Sequence, residues 1–104
     1  MADEEGKALE RVLATLSTLT PAAPRDDAIA FDLRYASRHL AGAQAKSVSI
    51  EAALNVLRAV ALNALGAVAV SLDRRTLTQE MIDTARLAVA AVLDQIQPVA
   101  EAIG

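Results

Sequence analysis

The chain has 104 residues, a formal net charge of −3 and no cysteine. Its length is that of one domain, which we expect to cover residues 1–104 as a single helical unit. The lack of cysteine excludes disulfide bonds and thiolate metal sites. Asp and Glu number 13 against 10 Lys and Arg, and nucleic acid is therefore an unexpected partner, because phosphate binding depends on clustered basic side chains.

Apolar residues make up 54% of the chain, and almost all of them are small aliphatic residues. The only aromatic residues are Phe31 and Tyr35. Small aliphatic side chains each bury little area, so a stable core needs close helix contacts or additional area from a second copy. The composition therefore predicts a homodimer or a higher homo-oligomer.

The start of the chain lacks the basic and apolar regions of a secretory signal. The longest apolar stretch, residues 56–72, contains Arg58, Asn63 and Ser71. It falls short of the ~20 apolar residues that a membrane span needs. We therefore expect a cytoplasmic protein with no membrane partner.

The first predicted helix covers about residues 3–19. Its apolar residues recur at helical spacing and form one stripe: Leu9, Val12, Leu13, Leu16 and Leu19. Asp3, Glu4 and Glu5 lie in the first turn, where carboxylates complement the positive end of the helix dipole. The helix ends at Thr20-Pro21, because proline lacks an N–H group and disfavours the helical region in the preceding residue.

The second predicted helix covers about residues 25–41, with Gly42 as its C-cap. Placed at 100° intervals, four residues form a narrow core stripe: Ile29, Leu33, Ala36 and Leu40. Phe31 and Tyr35 lie on nearly the opposite side. Arg38 lies beside them and His39 lies at the margin. We call these four residues the aromatic face.

The third predicted helix begins after Ser47 or Ser49 and reaches about Leu72. It is apolar nearly all round, with a short polar stripe formed by Glu51, Asn55 and Arg58 near its start. A helix with this pattern is normally the buried centre of a fold. The sequence thus predicts an all-α, small four-helix bundle with a central apolar third helix.

The fourth predicted helix follows Thr76 or Thr78, either of which can cap it, and Thr76 with Gln79 has capping-box spacing. Five residues follow the spacing of a packing seam: Ile82, Ala85, Val89, Val92 and Ile96. Leu87 lies opposite this seam. Pro98 is predicted to end the helix near residue 97.

The aromatic face is the predicted interaction surface. Leaving both aromatic side chains in water is unfavourable unless something covers them, and aromatic and Arg side chains are enriched at interface centres. Phe31, Tyr35, Arg38 and His39 are therefore candidate contacts with a second copy or with another protein, and Leu87 is a further candidate. The alternative is that the second helix is covered on both sides within one chain.

The sequence contains no recognisable catalytic, cofactor-binding or metal-binding motif. The four glycines lie far apart, which excludes a glycine-rich phosphate loop. A single histidine without cysteine leaves a zinc site dependent on carboxylates almost alone. Asp32, Ser37 and His39 are the residue types of a catalytic triad, but their proximity on one helix does not produce triad geometry. We therefore expect no enzyme activity and no cofactor.

One local resemblance concerns residues 75–78. The run Arg75-Thr76-Leu77-Thr78 before the last helix, and a short-long-short order of the last three helices, resemble the histone fold. In that fold an Arg-Thr or Lys-Thr pair opens the final helix. The acidic charge, the long last helix and the apolar third helix depart from the histone pattern, so no DNA-binding role is carried over.

The function that we expect is a non-catalytic helical interaction protein, such as an adaptor, an assembly factor or a regulatory subunit, that self-associates. Two alternatives stay open. One is a small ligand-binding or enzymatic bundle that uses Tyr35, Arg38 and His39. The other is a histone-like DNA-binding protein.

Overall fold

The computed structural model describes residues 2–24, 26–46 and 52–103, with side chains described for 4–24, 26–46 and 52–96. It contains four helices: α1 (Ala2–Thr18), α2 (Asp27–Lys46), α3 (Ala52–Arg74) and α4 (Gln79–Ile103). No strand occurs within the described ranges. The predicted all-α four-helix bundle is confirmed.

The helices form a closed ring in which each one packs against two neighbours. α1 contacts α2 and α4, and α3 contacts α2 and α4. Short connections between consecutive helices are typical of antiparallel neighbours, so the chain runs up, down, up and down through a bundle of 41 × 25 × 22 Å. α1 and α3 consequently lie on opposite corners. α3 therefore forms one wall of the ring and is not enclosed by the other three helices, because four helices leave no fifth element to cover its outer side.

The core lies along the axis of the ring and consists of aliphatic side chains from all four helices. The predicted stripe of α1 is buried apart from the partly buried Leu13, and that of α2 is buried apart from the partly buried Ile29. The seam of α4 is also at the core, with Ile96 partly buried at its end. The largest fully buried side chains are Leu9, Leu16, Leu33, Leu40, Leu65 and Ile82.

Two helices extend beyond the predicted ends. α2 continues through Gly42 to Lys46, so the predicted C-cap at Gly42 is wrong. Glycine inside a helix costs only about 1 kcal/mol, and the good helix formers that follow Gly42 offset that cost. α4 continues through Pro98 to Ile103, and the predicted break there is wrong as well. Proline removes one backbone hydrogen bond, but the residues beyond it can still form theirs.

The helix starts are capped by side chains. The Asp26 carboxylate accepts a hydrogen bond of 2.7 Å from the backbone N–H of Ala28 at the start of α2. The Thr78 hydroxyl accepts one of 3.2 Å from the N–H of Met81 at the start of α4. Of the two predicted caps for α4, Thr78 is therefore the one used, because it immediately precedes Gln79.

The described helices do not follow the short-long-short order of a histone fold. α2 has 20 residues, α3 has 23 and α4 has 25. The predicted helix order was based on an α2 that ended at residue 41, and the extension to Lys46 removes the contrast in length. The histone resemblance is thereby reduced to the run of residues 75–78.

The end of α3 is closed by a left-handed residue that is not glycine. Arg75 has a φ of 59°. The Thr76 N–H donates to the Ser71 carbonyl at 2.8 Å, and the Arg75 N–H donates to the Leu72 carbonyl at 3.4 Å. This pair of hydrogen bonds is the Schellman motif. Its left-handed position is normally occupied by glycine, because glycine has no Cβ. The turn therefore carries a local conformational cost at Arg75.

We expect the change Arg75→Gly to raise the free energy of unfolding by about 0.5–1 kcal/mol, because glycine adopts positive φ without a Cβ clash. Arg74→Gly is the matched control, since it removes the same charge from the neighbouring helical residue. It is expected to cause no gain, or a loss of up to about 1 kcal/mol. Urea denaturation of both variants measures the difference, and equal stabilisation by both would attribute the effect to charge instead of φ.

Candidate functional site

A buried ion pair joins the two diagonal helices α1 and α3. The Arg58 Nε donates to Glu5 Oε2 at 2.8 Å, and Nη2 donates to Oε1 at 2.9 Å. Each side chain is only 7% exposed. The remaining terminal nitrogen, Nη1, donates to the Asn55 side-chain oxygen at 3.0 Å. This two-point geometry is the strongest form of an Arg–carboxylate contact.

The ion pair takes the Arg58 side chain away from the outer surface of α3. From Ala52 to Leu72, Arg58 is the single charged residue, and it is buried. The outer side of α3 is therefore uncharged for about 30 Å at 1.5 Å per residue. The sequence indicated a polar stripe that includes Arg58, but it did not indicate that the Arg58 side chain points into the bundle.

Large apolar side chains occupy this uncharged side of α3. Val56 is 63% exposed, Val60 is 48% exposed and Val70 is 52% exposed. Asn63, which is also exposed, lies between them along the helix. Exposed valines that occur singly need no explanation, but these three share the uncharged outer side of one helix.

The exposed apolar surface continues from α3 onto α4. Leu87 is 74% exposed, which is the highest value among the large apolar residues described as exposed. It lines a groove of about 310 Å³ between the two helices, together with Leu57, Val60, Thr84, Ala88 and Ala91. We call Val56, Val60 and Leu87 the α3/α4 face; Val70 lines the groove between α2 and α3 instead. The prediction that Leu87 lies away from the core of α4 is confirmed.

The aromatic face forms a ladder along α2. The rings of Phe31 and Tyr35 are stacked, with centroids 5.6 Å apart and 12° between their planes. The ring of Tyr35 meets that of His39 edge-on, with centroids 4.6 Å apart. Phe31 is about half exposed, Tyr35 and His39 are half-buried, and Arg38 is exposed. The structure thus brings three of the four predicted residues into direct contact.

Helix α1 supplies partners to this ladder that sequence reasoning missed. The guanidinium of Arg11 lies 5.4 Å from the centroid of the Phe31 ring, and its Nε lies 2.6 Å from a carboxylate oxygen of Asp32. The other oxygen of Asp32 accepts a hydrogen bond of 2.7 Å from the Thr15 hydroxyl. These contacts join residues on different helices, so helical periodicity alone does not reveal them.

A second groove, of about 360 Å³, lies between α2 and α3. Small side chains such as Ala30, Gly66 and Ala69 line it, and Arg34, Ser37 and Asp73 are its polar lining residues. No group of three or more His, Asp or Glu residues is placed to hold a metal ion within the described part of the chain. Leu33, Leu65 and Val70 also line the groove, so it has the space and the apolar surface to receive an apolar side chain.

Helix α3 is long and apolar enough to cross a membrane by length and composition alone. The core helix of a globular protein can have the same length and composition. In this structure α3 contributes Ala61, Leu65 and Val68 to the core of the bundle. Its role in the fold is therefore that of a packed helix with one uncovered side.

Comparison of the chain with models of protein families, with curated proteins and with solved structures gives no match.

We expect Arg58→Met to lower the free energy of unfolding by about 3–5 kcal/mol, because it leaves the Glu5 carboxylate buried without its partner. The double change Glu5→Leu with Arg58→Met should recover most of that loss, since it buries no charge. The matched control is Arg86→Met, which breaks an exposed ion pair to Asp83 of 3.8 Å and should cost less than about 1 kcal/mol. Chemical denaturation measures all three, and similar small losses for Arg58→Met and Arg86→Met would contradict the interpretation.

Proposed function

We propose that this chain is a non-catalytic helical protein that associates with a second copy of itself through the α3/α4 face, and that it acts as a cytoplasmic adaptor, assembly factor or regulatory subunit. The observation that carries the proposal is the uncharged outer side of α3. Its single charge between Ala52 and Leu72 is buried against Glu5.

The energetic argument rests on the area that such a face leaves in water. Full burial of a Val or Leu side chain stabilises by about 1.5–3 kcal/mol relative to exposure. Val56, Val60 and Leu87 are each about half exposed or more, so covering them together offers several kcal/mol. The composition supports a second copy as the cover, because a core of small aliphatic residues gains most from additional buried area.

The α3/α4 face is favoured over the aromatic face because the aromatic face already has partners within its own chain. Arg11 lies over the Phe31 ring, and Phe31 stacks on Tyr35. A contact there has to compete with these interactions and to desolvate Arg11 and Arg38. The α3 part of the α3/α4 face carries no such charge, and Asp83 and Arg86 lie beside Leu87 on its α4 part. The aromatic face is therefore the alternative surface, for a second copy or for another protein.

We expect the chain to sediment as a dimer, and Val60→Asp or Leu87→Asp to shift it toward monomer. A carboxylate buried without a partner at the interface should cost about 3 kcal/mol or more, which is roughly a hundredfold in Kd. Helix content should stay unchanged, because both positions are exposed in the single chain. Ala45→Asp adds the same charge at an exposed position of α2 and should leave the dimer intact. A wild-type chain that is monomeric at every concentration would contradict the proposal.

The change Phe31→Asp distinguishes the two surfaces. If self-association uses the α3/α4 face, this variant should sediment like the wild type. Its stability should change by no more than about 1–2 kcal/mol, because Phe31 is half exposed and its ring contacts are those with Tyr35 and Arg11. If Phe31→Asp is monomeric and still helical by circular dichroism, the contact lies on the aromatic face instead.

A further inference from the structure

Leu87 projects from α4 between two grooves. Its side chain is 74% exposed, and it lines both of them. The groove towards α1, of about 480 Å³, has Asp83 and Arg86 among its lining residues. The groove towards α3, of about 310 Å³, is lined by uncharged residues. We call them the α1-side groove and the α3-side groove. Of the two, the α3-side groove is the one that takes an apolar side chain without desolvating a charge.

The α3-side groove has the size and the surface to hold a leucine side chain. Its volume of about 310 Å³ equals that of about ten water molecules at ~30 Å³ each, which exceeds the four carbon atoms of the side chain. Leu57 and Val60 line it from α3, and the nearly buried Ala88 lines it from α4. A leucine that enters from outside therefore meets aliphatic carbon on both sides.

Leu87 and the α3-side groove lie at the same height along α4. Thr84 and Ala91, three residues before Leu87 and four residues after it, both line this groove. The protruding leucine and the recess are therefore side by side across the helix. A two-fold axis that runs along the helix between them places each leucine over the recess of the other copy. Such an exchange makes the same contact twice, as a two-fold interface requires.

We infer that two copies exchange Leu87, each inserting this side chain into the α3-side groove of the other, with the two α4 helices side by side and parallel. The inference rests on the proposed self-association through the α3/α4 face and specifies its contacts. The two α4 helices meet at Thr84 and Ala91, whose small side chains allow a close approach. Asp83 and Arg86 line the other flank of α4, so they stay in solvent.

A second copy is favoured over an unrelated partner because one surface presents both halves of the contact. An unrelated protein would have to supply its own protruding apolar side chain and its own recess for Leu87. A second copy supplies both by symmetry. The approach that seats the partner's leucine against Val60 also brings the second copy beside Val56, one helical turn away on α3, which is 63% exposed in the single chain.

The size of the apolar area predicts a reversible dimer. Glu80 and Asp94 are exposed and lie seven residues on either side of Leu87, so they limit the area to about 21 Å of helix. Two helices are together about 20 Å wide. The footprint is roughly 840 Å² for both copies, below the ~1,200 Å² of stable complexes. Parallel helices also place the two Glu80 carboxylates at one height, so added salt should lower the Kd by screening them.

Ala90 and Ala91 provide a matched pair of positions for a cross-linking test, because the chain has no cysteine. Ala91 lines the α3-side groove and Ala90 lines the α1-side groove. On mild oxidation Ala91→Cys should form a disulfide-linked dimer at least about tenfold faster than Ala90→Cys, since identical residues beside the axis approach within the span of a disulfide. Thr84→Cys should also link to itself. A mixture of Thr84→Cys with a mass-tagged Ala91→Cys should give no excess of the mixed product.

Non-reducing electrophoresis and mass spectrometry identify each product. Faster linking of Ala90→Cys would place the contact at the α1-side groove, and a dominant mixed product of Thr84→Cys with Ala91→Cys would show antiparallel helices. Either result overturns the inference. A dimer by sedimentation in which neither Thr84→Cys nor Ala91→Cys links faster than Ala90→Cys also overturns it, while leaving self-association in place. A wild-type chain that is monomeric at every concentration fails the proposed function itself, so the two failures are distinguishable.

Filling the recess gives an independent test without a cross-link. Ala91→Leu places a larger side chain in the α3-side groove of its own chain, so the second copy's leucine no longer fits. The Kd from sedimentation equilibrium should rise at least about tenfold. Ala90→Leu makes the same change on the other flank of α4 and should leave the Kd nearly unchanged. Circular dichroism checks that both variants keep their helix content. An Ala91→Leu variant that is folded and associates as tightly as the wild type would overturn the inference.

Discussion

The direction of one side chain, Arg58, organises this protein. Its guanidinium crosses the bundle from α3 to the Glu5 carboxylate on α1, and both groups are almost completely buried. A buried charge without a partner costs several kcal/mol, so arrangements that separate the starts of α1 and α3 are strongly disfavoured. The pair adds little net stability beyond what two apolar residues could supply. Its effect is to select one arrangement of four otherwise similar aliphatic helices.

The outer surface of α3 follows from that selection. Once Arg58 points inward, α3 has no charged side chain on its solvent side between Ala52 and Leu72. Charged side chains elsewhere, such as Asp83 and Arg86 on α4, are exposed and only loosely paired. Polar and apolar side chains are therefore distributed unevenly over the surface, with an uncharged, largely apolar area on the outer side of α3. That unevenness is the physical basis for the proposed self-association.

The two candidate surfaces differ in how many of their side chains already have contacts within the same chain. The aromatic face is a connected set in which Phe31 and Tyr35 stack and Arg11 lies over the Phe31 ring. The α3/α4 face has no covering helix in the single chain, and Val56, Val60 and Leu87 remain exposed there.

Periodicity in the sequence determined the four helices, their core stripes and the outward positions of Phe31 and Leu87, because each depends only on spacing within one helix. The ends of α2 and α4 were predicted wrongly, since the local cost of Gly42 or the missing hydrogen bond of Pro98 is smaller than the gain from continuing a packed helix. Only the tertiary structure decided that Arg58 points at Glu5, 53 residues away. It also decided that the outer side of α3 is uncovered. Which helix faces remain exposed depends on how the four helices pack into a ring, and the apolarity of a single helix does not determine it.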